Sequence, residues 1–402
     1  MSGFLPPLAA FWLARTSASA AFLTLQIAAP AAAADLGVEV GLVGIVSSLA
    51  FFGTMLGSPT AAPLVARLGP IRLMQLSLIG CAGGLLLAAC GWLWLMVPAA
   101  FFIGLAQGPI TPAGSRLLVR HTPQQILSLI FGISQTGVTL GTAMAGALVP
   151  AVTVAFGWQA GVASVSALCL LAALLAQPLH ASLDRERDSS APFSLVRLLW
   201  TVRLVLRDPP LRDLTLTACA YGAMQWCMGT FLVAYLGSGL GLTLVAAGWA
   251  LSLSQLAGTI GRVLWGLVAD LVGSPRLVLG GLGLLMSAAG VAMAFLHAGW
   301  PLWTIMTLSF VLGLAATGYN GIYLAELARL SPPGEEVAAT GGSIFVFCAV
   351  SIVAPAVFSG IVATTGDYGN GFLALSVVTL FAALRHMMGG RRQRSGSGPE
   401  AP

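Results

Sequence analysis

Lysine is absent from this 402-residue sequence, and charged residues of every kind make up only 8% of it. Soluble domains average about 25% charged residues, so the chain has far too few charges to cover a water-facing surface. Hydrophobic residues reach 57%. This composition excludes a soluble enzyme, a coiled coil and a disordered protein, and it indicates a chain embedded in a lipid bilayer.

The sequence also lacks the motifs of common enzymes and metal sites. It holds no P-loop, no HExxH and no GxSxG pattern, and its four histidines lie far apart. The six cysteines fall inside apolar runs without CxxC spacing, which is typical of small hydrophobic core residues. We therefore expect no enzymatic activity, no cofactor and no metal site.

Apolar runs long enough to cross a bilayer, about 20 residues each, recur along the chain. The first six lie near 8–33, 41–66, 73–90, 93–115, 125–155 and 158–178. The second six lie near 213–237, 244–269, 276–297, 300–325, 339–365 and 368–388. The sequence therefore predicts an all-α membrane protein with twelve transmembrane helices, arranged as a six-helix bundle at 1–178, a cytoplasmic central loop at 179–212, a second six-helix bundle at 213–388 and a disordered cytoplasmic tail at 389–402.

All 18 basic residues are arginines, and their positions indicate the orientation of the chain. Apart from Arg15 and Arg262, every arginine falls in a loop or tail on one side of the predicted bundles. The positive-inside rule assigns that side to the cytoplasm, which places both termini there and the chain in the inner (plasma) membrane. The net charge of +5 then reflects this orientation rather than nucleic-acid binding. We expect a monomer without a nucleic-acid partner.

The central loop carries an amphipathic segment before the seventh span, in which arginines alternate with leucine, valine and Trp200. This pattern is typical of a short interfacial helix on the inner leaflet. A cytoplasmic linker helix that ties two halves together would show the same pattern, and the sequence does not separate the two interpretations.

The two halves of the chain are related by an internal repeat. A shift of 204 residues aligns Gly44 with Gly248, Leu49 with Leu253, Gly57 with Gly261, Gly69 with Gly273, and Arg72 with Arg276. Further along, a shift of 209 residues aligns Gly104 with Gly313 and Gly157 with Gly366. An internal repeat of six spans is the sequence mark of a secondary transporter.

Three short stretches resemble motifs of the major facilitator superfamily. The stretch from Gly266 through Asp270 to Gly273 and Arg276 is similar to that superfamily's loop motif, Gly-x-x-x-Asp-x-x-Gly followed by basic residues. The sister stretch after span 2 keeps the glycine and the arginines but has Ala66 where the family has Asp. Span 10 ends in a Glu/Arg pair similar to the family's pair. The resemblance implies two helical bundles, a central cavity, alternating access and a cytoplasmic gate at Gly266, Asp270, Gly273, Arg276, Arg67, Gly69, Arg72, Glu326 and Arg329.

We expect this gate to be asymmetric. Asp270 can pair with nearby arginines, and it can cap the N-terminus of a neighbouring helix, where a negative charge is favoured. Ala66 can do neither. Asp270 is therefore expected to hold the cytoplasmic side closed in an outward-facing state.

Arg262 is the intramembrane residue that points most directly to a site. It lies about 12 Å from the predicted cytoplasmic end of span 8, and a charge at that depth needs a cavity or a partner. Gln255, Thr259 and Arg262 share one helix face. This arginine, four residues before Gly266, is similar to the carboxylate-binding arginine of monocarboxylate porters. A structural or gating pairing with an acid or a carbonyl is the alternative.

Arg15 lies in the cytoplasmic third of span 1, on a face shared with Ser19, Phe22 and Gln26. Snorkelling to the lipid headgroups explains its position, and contact with an anionic substrate is the alternative. The superfamily lines its cavity with spans 1, 4, 7 and 10. Further polar residues at helical spacing in spans 4, 5, 7 and 10 are candidate substrate contacts or interhelical hydrogen bonds: Gln107, Thr111, Gln135, Tyr221, Gln225, Tyr319, Asn320 and Tyr323.

These features predict a secondary transporter for a small organic solute in the lipid bilayer. Both intramembrane charges are positive, and no Asp or Glu falls in the middle of a span, so an organic anion such as a carboxylate is favoured. Protons are a candidate coupling ion through Glu326. Facilitated exchange, and a substrate that carries its own proton, are equally open.

Two other functions fit the same scaffold. One is a drug/proton efflux antiporter, although the chain has Ala100 where those antiporters have an arginine four residues before Gly104, and span 5 lacks their Gly-Pro pair. The other is a non-transporting sensor. Saturable carboxylate uptake, drug resistance with dye extrusion, or neither would distinguish the three functions.

Overall fold

The computed structural model describes residues 3–37, 42–184, 195–297 and 299–396, and these residues form helices and their connections without a strand. The first half contains α1 (Leu5–Leu36), α2 (Leu42–Gly57), α3 (Ala61–Leu68), α4 (Pro70–Ala89), α5 (Leu93–Gln107), α6 (Ile110–His121), α7 (Leu127–Phe156), α8 (Trp158–Leu175) and α9 (Gln177–Leu183). The centre and second half contain α10 (Leu195–Arg207), α11 (Pro209–Ala234), α12 (Leu244–Val272), α13 (Pro275–Ala294), α14 (Leu302–Ala316), α15 (Asn320–Leu330), α16 (Glu336–Thr365) and α17 (Tyr368–Gly396).

Twelve membrane-spanning segments result, because α2 with α3, α5 with α6, and α14 with α15 each form one span. Eleven are long and apolar enough to cross a membrane by length and composition. The remaining span, α11, is long enough but less apolar, because Tyr221, Gln225 and Trp226 interrupt its apolar sequence. The predicted twelve helices are therefore confirmed. The tail predicted as disordered from 389 is helical as far as Gly396, where α17 ends, and residues 397–402 lie outside the described part.

Spans 4 and 10 are each broken at equivalent points of the repeat. The first break lies at Gly108 and Pro109, between α5 and α6, and the second lies at residues 317–319, between α14 and α15. Proline contributes to the first break because it has no amide hydrogen to donate. Broken helices near the bilayer centre expose backbone groups and are typical of transporter binding sites.

The two halves touch mainly on one side of the membrane. There α7 packs against α12 and α15, and α16 packs against α2, α3 and α6. This side also carries Arg67, Arg120, Arg276 and Arg329, and we call it the arginine-rich side. The short helices α3, α6 and α15 lie on this side only, so the halves are joined there.

The amphipathic segment of the central loop forms the helix α10. Its buried residues Thr201 and Val205 pack towards α16 and towards the turn at residues 58–60, which belongs to the first half. Leu199 and Arg203 on the other face are exposed. Because α10 contacts both halves, it acts as a linker between them, as one of the two interpretations of the sequence requires.

Candidate functional site

A cavity of about 170 Å³ lies between the two halves, next to the breaks in spans 4 and 10. Helices α1, α2, α5, α6 and α7 of the first half contribute to its wall, together with α11, α15 and α16 of the second half. Six of the predicted substrate contacts line it: Arg15, Gln107, Thr111, Gln135, Asn320 and Tyr323.

Aromatic side chains form another part of the wall, and the sequence analysis did not assign them to the site. Phe51, Trp226 and Phe347 line the cavity together with Phe22. Aromatic residues in an apolar span carry no pattern that separates a cavity wall from a packed core or a lipid-facing surface. Only the fold brings these residues from four helices to one place.

Two buried guanidinium groups lie in this region, and Arg262 does not belong to the described lining of the cavity. Arg15 lines the cavity, and its Nε atom has no hydrogen-bond partner among the described residues. Arg262 is 4% exposed, and its Nε and Nη1 atoms are likewise without a partner there. The backbone carbonyl of Arg262 packs against Gly132 on α7, three residues from the lining residue Gln135. No Asp or Glu belongs to the described lining of the cavity, so the positive charge is not balanced by the wall.

Three neutral side chains add further buried polar atoms without a partner in the described part of the chain. They are Nε2 of Gln135, Nε1 of Trp226 and Oε1 of Gln107. Together with the guanidinium nitrogens, the unpaired atoms are mostly donors. A buried donor without a partner costs about 1–3 kcal/mol, so the cavity suits a solute rich in acceptors.

The tyrosines predicted in spans 7 and 10 serve different roles. Tyr221 is fully buried, and its hydroxyl donates to the carbonyl of Leu279 over 3.0 Å. Tyr319 is also buried and donates to the carbonyl of Ala218 over 3.3 Å. Both hydroxyls make interhelical hydrogen bonds here, which is the alternative that the sequence left open, and a substrate role for either residue stays a prediction. Tyr323 lines the cavity, and its hydroxyl bonds to Ser343 at 2.5 Å.

The remaining predicted contacts lie outside the cavity wall. Gln225 accepts a hydrogen bond from Asn320 over 3.2 Å and thereby holds a lining residue in place. Thr259 donates to the carbonyl of Gln255 within α12, and the Gln255 side chain is exposed. Gln26 lies half-buried on α1. The side chains of Gln225, Gln255, Thr259 and Gln26 do not line the cavity, and neither does that of Arg262.

Asp270 joins the two halves on the arginine-rich side. Its carboxylate accepts from the backbone amides of Ser128 and Leu129 at the start of α7, over 3.2 and 2.7 Å. It also pairs with Arg329 at 3.2 Å. Arg329 in turn donates to Ser128 Oγ and to the carbonyl of Gln124. We call Asp270 and Arg329, with these α7 contacts, the latch. The predicted helix capping by Asp270 is present, and its gating role stays a prediction.

Other predicted gating residues differ in what they contact. Gly266 lies against the Ser128 carbonyl, and Glu326 pairs with Arg329 at 3.7 Å, so both belong to the junction. Arg276 instead donates to the His386 carbonyl, and Arg72 donates to Gln177, each within its own half. Gly69 and Gly273 have φ of 88° and 66° at helix ends, and Arg67 is exposed. Arg276 and Arg72 thus make contacts within one half in this structure. The role of these last five residues in the gate stays a prediction.

Hydrogen bonds between neutral groups contribute to the other junction between the halves, where Ala66 stands. Ser58 donates to the Gly341 carbonyl over 3.0 Å, and the hydroxyl of Thr340 lies 3.4 Å from that of Ser115. A carboxylate and an arginine meet at the first junction, while these hydrogen bonds of the second junction join hydroxyls and a carbonyl. The asymmetry of the gate stays a prediction.

Comparisons with known proteins agree with this architecture. The family model described as Major Facilitator Superfamily matches residues 11–355 and 214–401. The probable galactarate/D-glucarate transporter GudP of Escherichia coli is 22% identical over 407 residues, which cover 91% of this chain and 88% of GudP. The probable sulfoacetate transporter SauU of Cupriavidus necator is 24% identical over 394 residues, which cover 87% of this chain and 85% of SauU.

A solved structure shows the same fold. The crystal structure of a variant of the Escherichia coli fucose:proton symporter FucP superposes with a TM-score of 0.76 at 14% identity, covering 96% of this chain and 99% of FucP. Twelve helices in two halves, a central cavity and the family match lead to one conclusion. The chain belongs to the Major Facilitator Superfamily and is a multi-pass membrane transporter of small organic solutes.

Proposed function

We propose that this protein is a secondary transporter that moves a small organic anion, such as a carboxylate, across the inner membrane by alternating access. The observation that carries the proposal is the buried guanidinium group of Arg15 in a cavity whose described lining contains no acid, with a second buried guanidinium group, that of Arg262, on the neighbouring helix α12. Two like charges held together in a membrane interior are costly unless an opposite charge joins them.

A carboxylate would supply both a negative charge and hydrogen-bond acceptors for the unpaired donors of the cavity. Its two oxygens can accept from guanidinium nitrogens with charge-assisted bonds, which are shorter and stronger than neutral ones. The amide of Gln135 is a further unpaired donor in the wall. The relatives GudP and SauU are described as probable transporters of organic acids, which supports this solute class.

The orientation follows from the arginines. We place the arginine-rich side in the cytoplasm by the positive-inside rule. The halves are joined on that side, so the structure corresponds to a state closed towards the cytoplasm. Release of substrate into the cytoplasm would then require the latch at Asp270 and Arg329 to open.

Proton coupling, in this proposal, acts at the latch rather than in the cavity. The described cavity lining offers no carboxylate that a proton could neutralise. Glu326 is 15% exposed and pairs with Arg329, so its protonation would weaken the group of charges that closes the cytoplasmic side.

Ligand-induced thermal stabilisation of the purified protein tests the role of Arg262. Wild-type protein should be stabilised by a carboxylate such as benzoate. Arg262→Lys keeps the charge but loses the bidentate geometry, so it should bind more weakly. Arg262→Ala should lower the affinity by at least about tenfold, because a charge-assisted hydrogen bond contributes about 1.5–3 kcal/mol. Arg67→Ala, at an exposed arginine outside the cavity, is the matched control.

Expression and the melting temperature without ligand show whether each variant folds. A folded Arg262→Ala protein with wild-type affinity for its carboxylate contradicts the proposal. Stabilisation by cationic dyes instead of carboxylates would favour the drug antiporter. Carboxylate binding without transport in proteoliposomes would favour the sensor.

A further inference from the structure

Three aromatic rings form a chain across the cavity wall from one half to the other. The rings of Phe22 and Phe51 meet edge to face, with centroids 5.1 Å apart at 79°. The rings of Phe51 and Trp226 do the same at 4.8 Å and 88°. Phe22 and Phe51 belong to the first half and Trp226 to the second, so this aromatic cluster lies where both halves meet the cavity.

The aromatic cluster and the arginines lie at different depths. Arg15, Ser19 and Phe22 all line the cavity from one face of α1. Phe22 is seven residues beyond Arg15, which is about 10 Å along a helix. Arg15 is the nearer of the two to the arginine-rich side, where the carbonyl of the buried Arg262 packs against Gly132 of α7. The cavity therefore has a cationic end towards the arginine-rich side and an aromatic end away from it.

The aromatic end offers few hydrogen bonds. Within the aromatic cluster, the indole Nε1 of Trp226 is a buried donor without a partner among the described residues. The phenyl rings of Phe22 and Phe51 carry no hydrogen-bond donor. A solute with many hydroxyls would leave several of them without partners here, at a cost of about 1–3 kcal/mol each. A flat aromatic ring would instead pack on the edges and faces of these side chains.

Resting on the proposed function, we infer that the preferred substrate is an aryl monocarboxylate, with its carboxylate at Arg15 and Arg262 and its ring against Phe22, Phe51 and Trp226. The cavity thus differs in chemistry from one built for a polyhydroxylated dicarboxylate, which needs polar partners along its whole length. A single carboxylate matches the single cationic end.

Calorimetric binding to the purified full-length protein tests this assignment with four probes. Benzoate carries the charge and the ring, cyclohexanecarboxylate lacks the aromatic ring, D-glucarate lacks the apolar part, and benzamide lacks the charge. Benzoate should bind more tightly than the other three. Phe51→Leu and Trp226→Leu should each weaken benzoate binding by about two- to tenfold, the range expected for one aromatic pair, and should leave cyclohexanecarboxylate nearly unchanged. Trp303→Leu, at an indole that is 70% exposed, should have no effect.

The outcomes separate this inference from the proposed function. If D-glucarate binds more tightly than benzoate, or Phe51→Leu and Trp226→Leu bind benzoate as wild type does, the aryl assignment is wrong while the anion site stands. If benzamide binds as tightly as benzoate, the anion site itself is wrong. The absence of binding by all four probes contradicts both. If a variant fails to fold, the ranking of the probes on wild-type protein decides.

Discussion

Gly132 brings the backbones of the two halves into direct contact. A Cβ atom at this position would overlap the carbonyl oxygen of Arg262 on α12, and a Cβ at Gly321 on α15 would lie 2.5 Å from the Gly132 Cα atom. The absence of side chains lets α7 approach both helices of the other half. The position of Arg262 beside the cavity therefore depends on a glycine in the opposite half.

Gly132→Ala should weaken the closed arginine-rich side. Overpacking typically costs about 1–3 kcal/mol, so the population open on that side should rise by about fivefold or more. Spin labels at Arg67→Cys and Leu271→Cys, both exposed positions near that side, report the separation by pulsed electron resonance. Cys90→Ser removes the exposed native cysteine from the background.

Gly146→Ala is the matched control on the same helix, because a Cβ there meets nothing within 4 Å. Its label distances should equal those of the wild type. Equal distance distributions in Gly132→Ala and Gly146→Ala would show that this close approach does not hold the side closed.

The sequence predicted the position or role of some residues better than that of others. The depth of Arg262 could be predicted, because a charge inside an apolar run is conspicuous and costly. The role of Phe51 could not, because an aromatic ring in a membrane span is ordinary. The helical spacing of the polar residues in span 7 makes Tyr221 a candidate for a substrate contact or an interhelical hydrogen bond. The structure shows that its hydroxyl bonds to a neighbouring helix.

Asp270 and Asp184 each cap the N-terminus of a helix in another part of the chain, and the two caps differ in what they join. Asp270 of the second half caps α7 of the first half, so this cap joins the halves. Asp184 caps α4 through the amides of Ile71 and Arg72, both at 2.9 Å, and this cap lies within the first half. A negative charge at a helix N-terminus is favoured in both cases, but only the first cap must break for the halves to separate.

Asp270→Asn should shift the resting population towards the state open on the arginine-rich side. The substitution removes the charge that pairs with Arg329 and keeps at most neutral hydrogen bonds, so a shift of up to about tenfold is expected. Ala66→Asp should shift the population less, or in the opposite direction. The same pair of spin labels measures the distance in both variants. An unchanged distance distribution in Asp270→Asn would contradict the claim that the latch holds the arginine-rich side closed.

The extent of each helix was predicted well, and its interruptions were not. Apolar runs define spans, so the predicted and observed ends agree within several residues. The break between α5 and α6 contains Gly108 and Pro109, which are also common inside unbroken membrane helices. The matching break in span 10 contains no proline, so it depends on packing with other helices.

The whole molecule consists of two halves joined on one side, with a cationic and aromatic cavity above the junction. Few charges are needed in this arrangement, because most of them lie in loops on the arginine-rich side, at the latch and at the cavity. The proposed closure at the latch and the proposed anion binding involve different residues of α12, since Asp270 lies eight residues beyond Arg262. Binding and gating can therefore be altered separately by substitution.

Counterflow of radiolabelled benzoate into proteoliposomes tests the central claim, that two buried arginines select an organic anion for transport. The wild type should exchange external labelled benzoate for internal unlabelled benzoate, and benzamide should neither exchange nor compete. The double variant Arg15→Gln with Arg262→Gln should lose at least about 90% of the exchange, in line with a loss of charge-assisted bonds. Exchange at the wild-type rate in the double variant, or competition by benzamide equal to that by benzoate, would contradict the account.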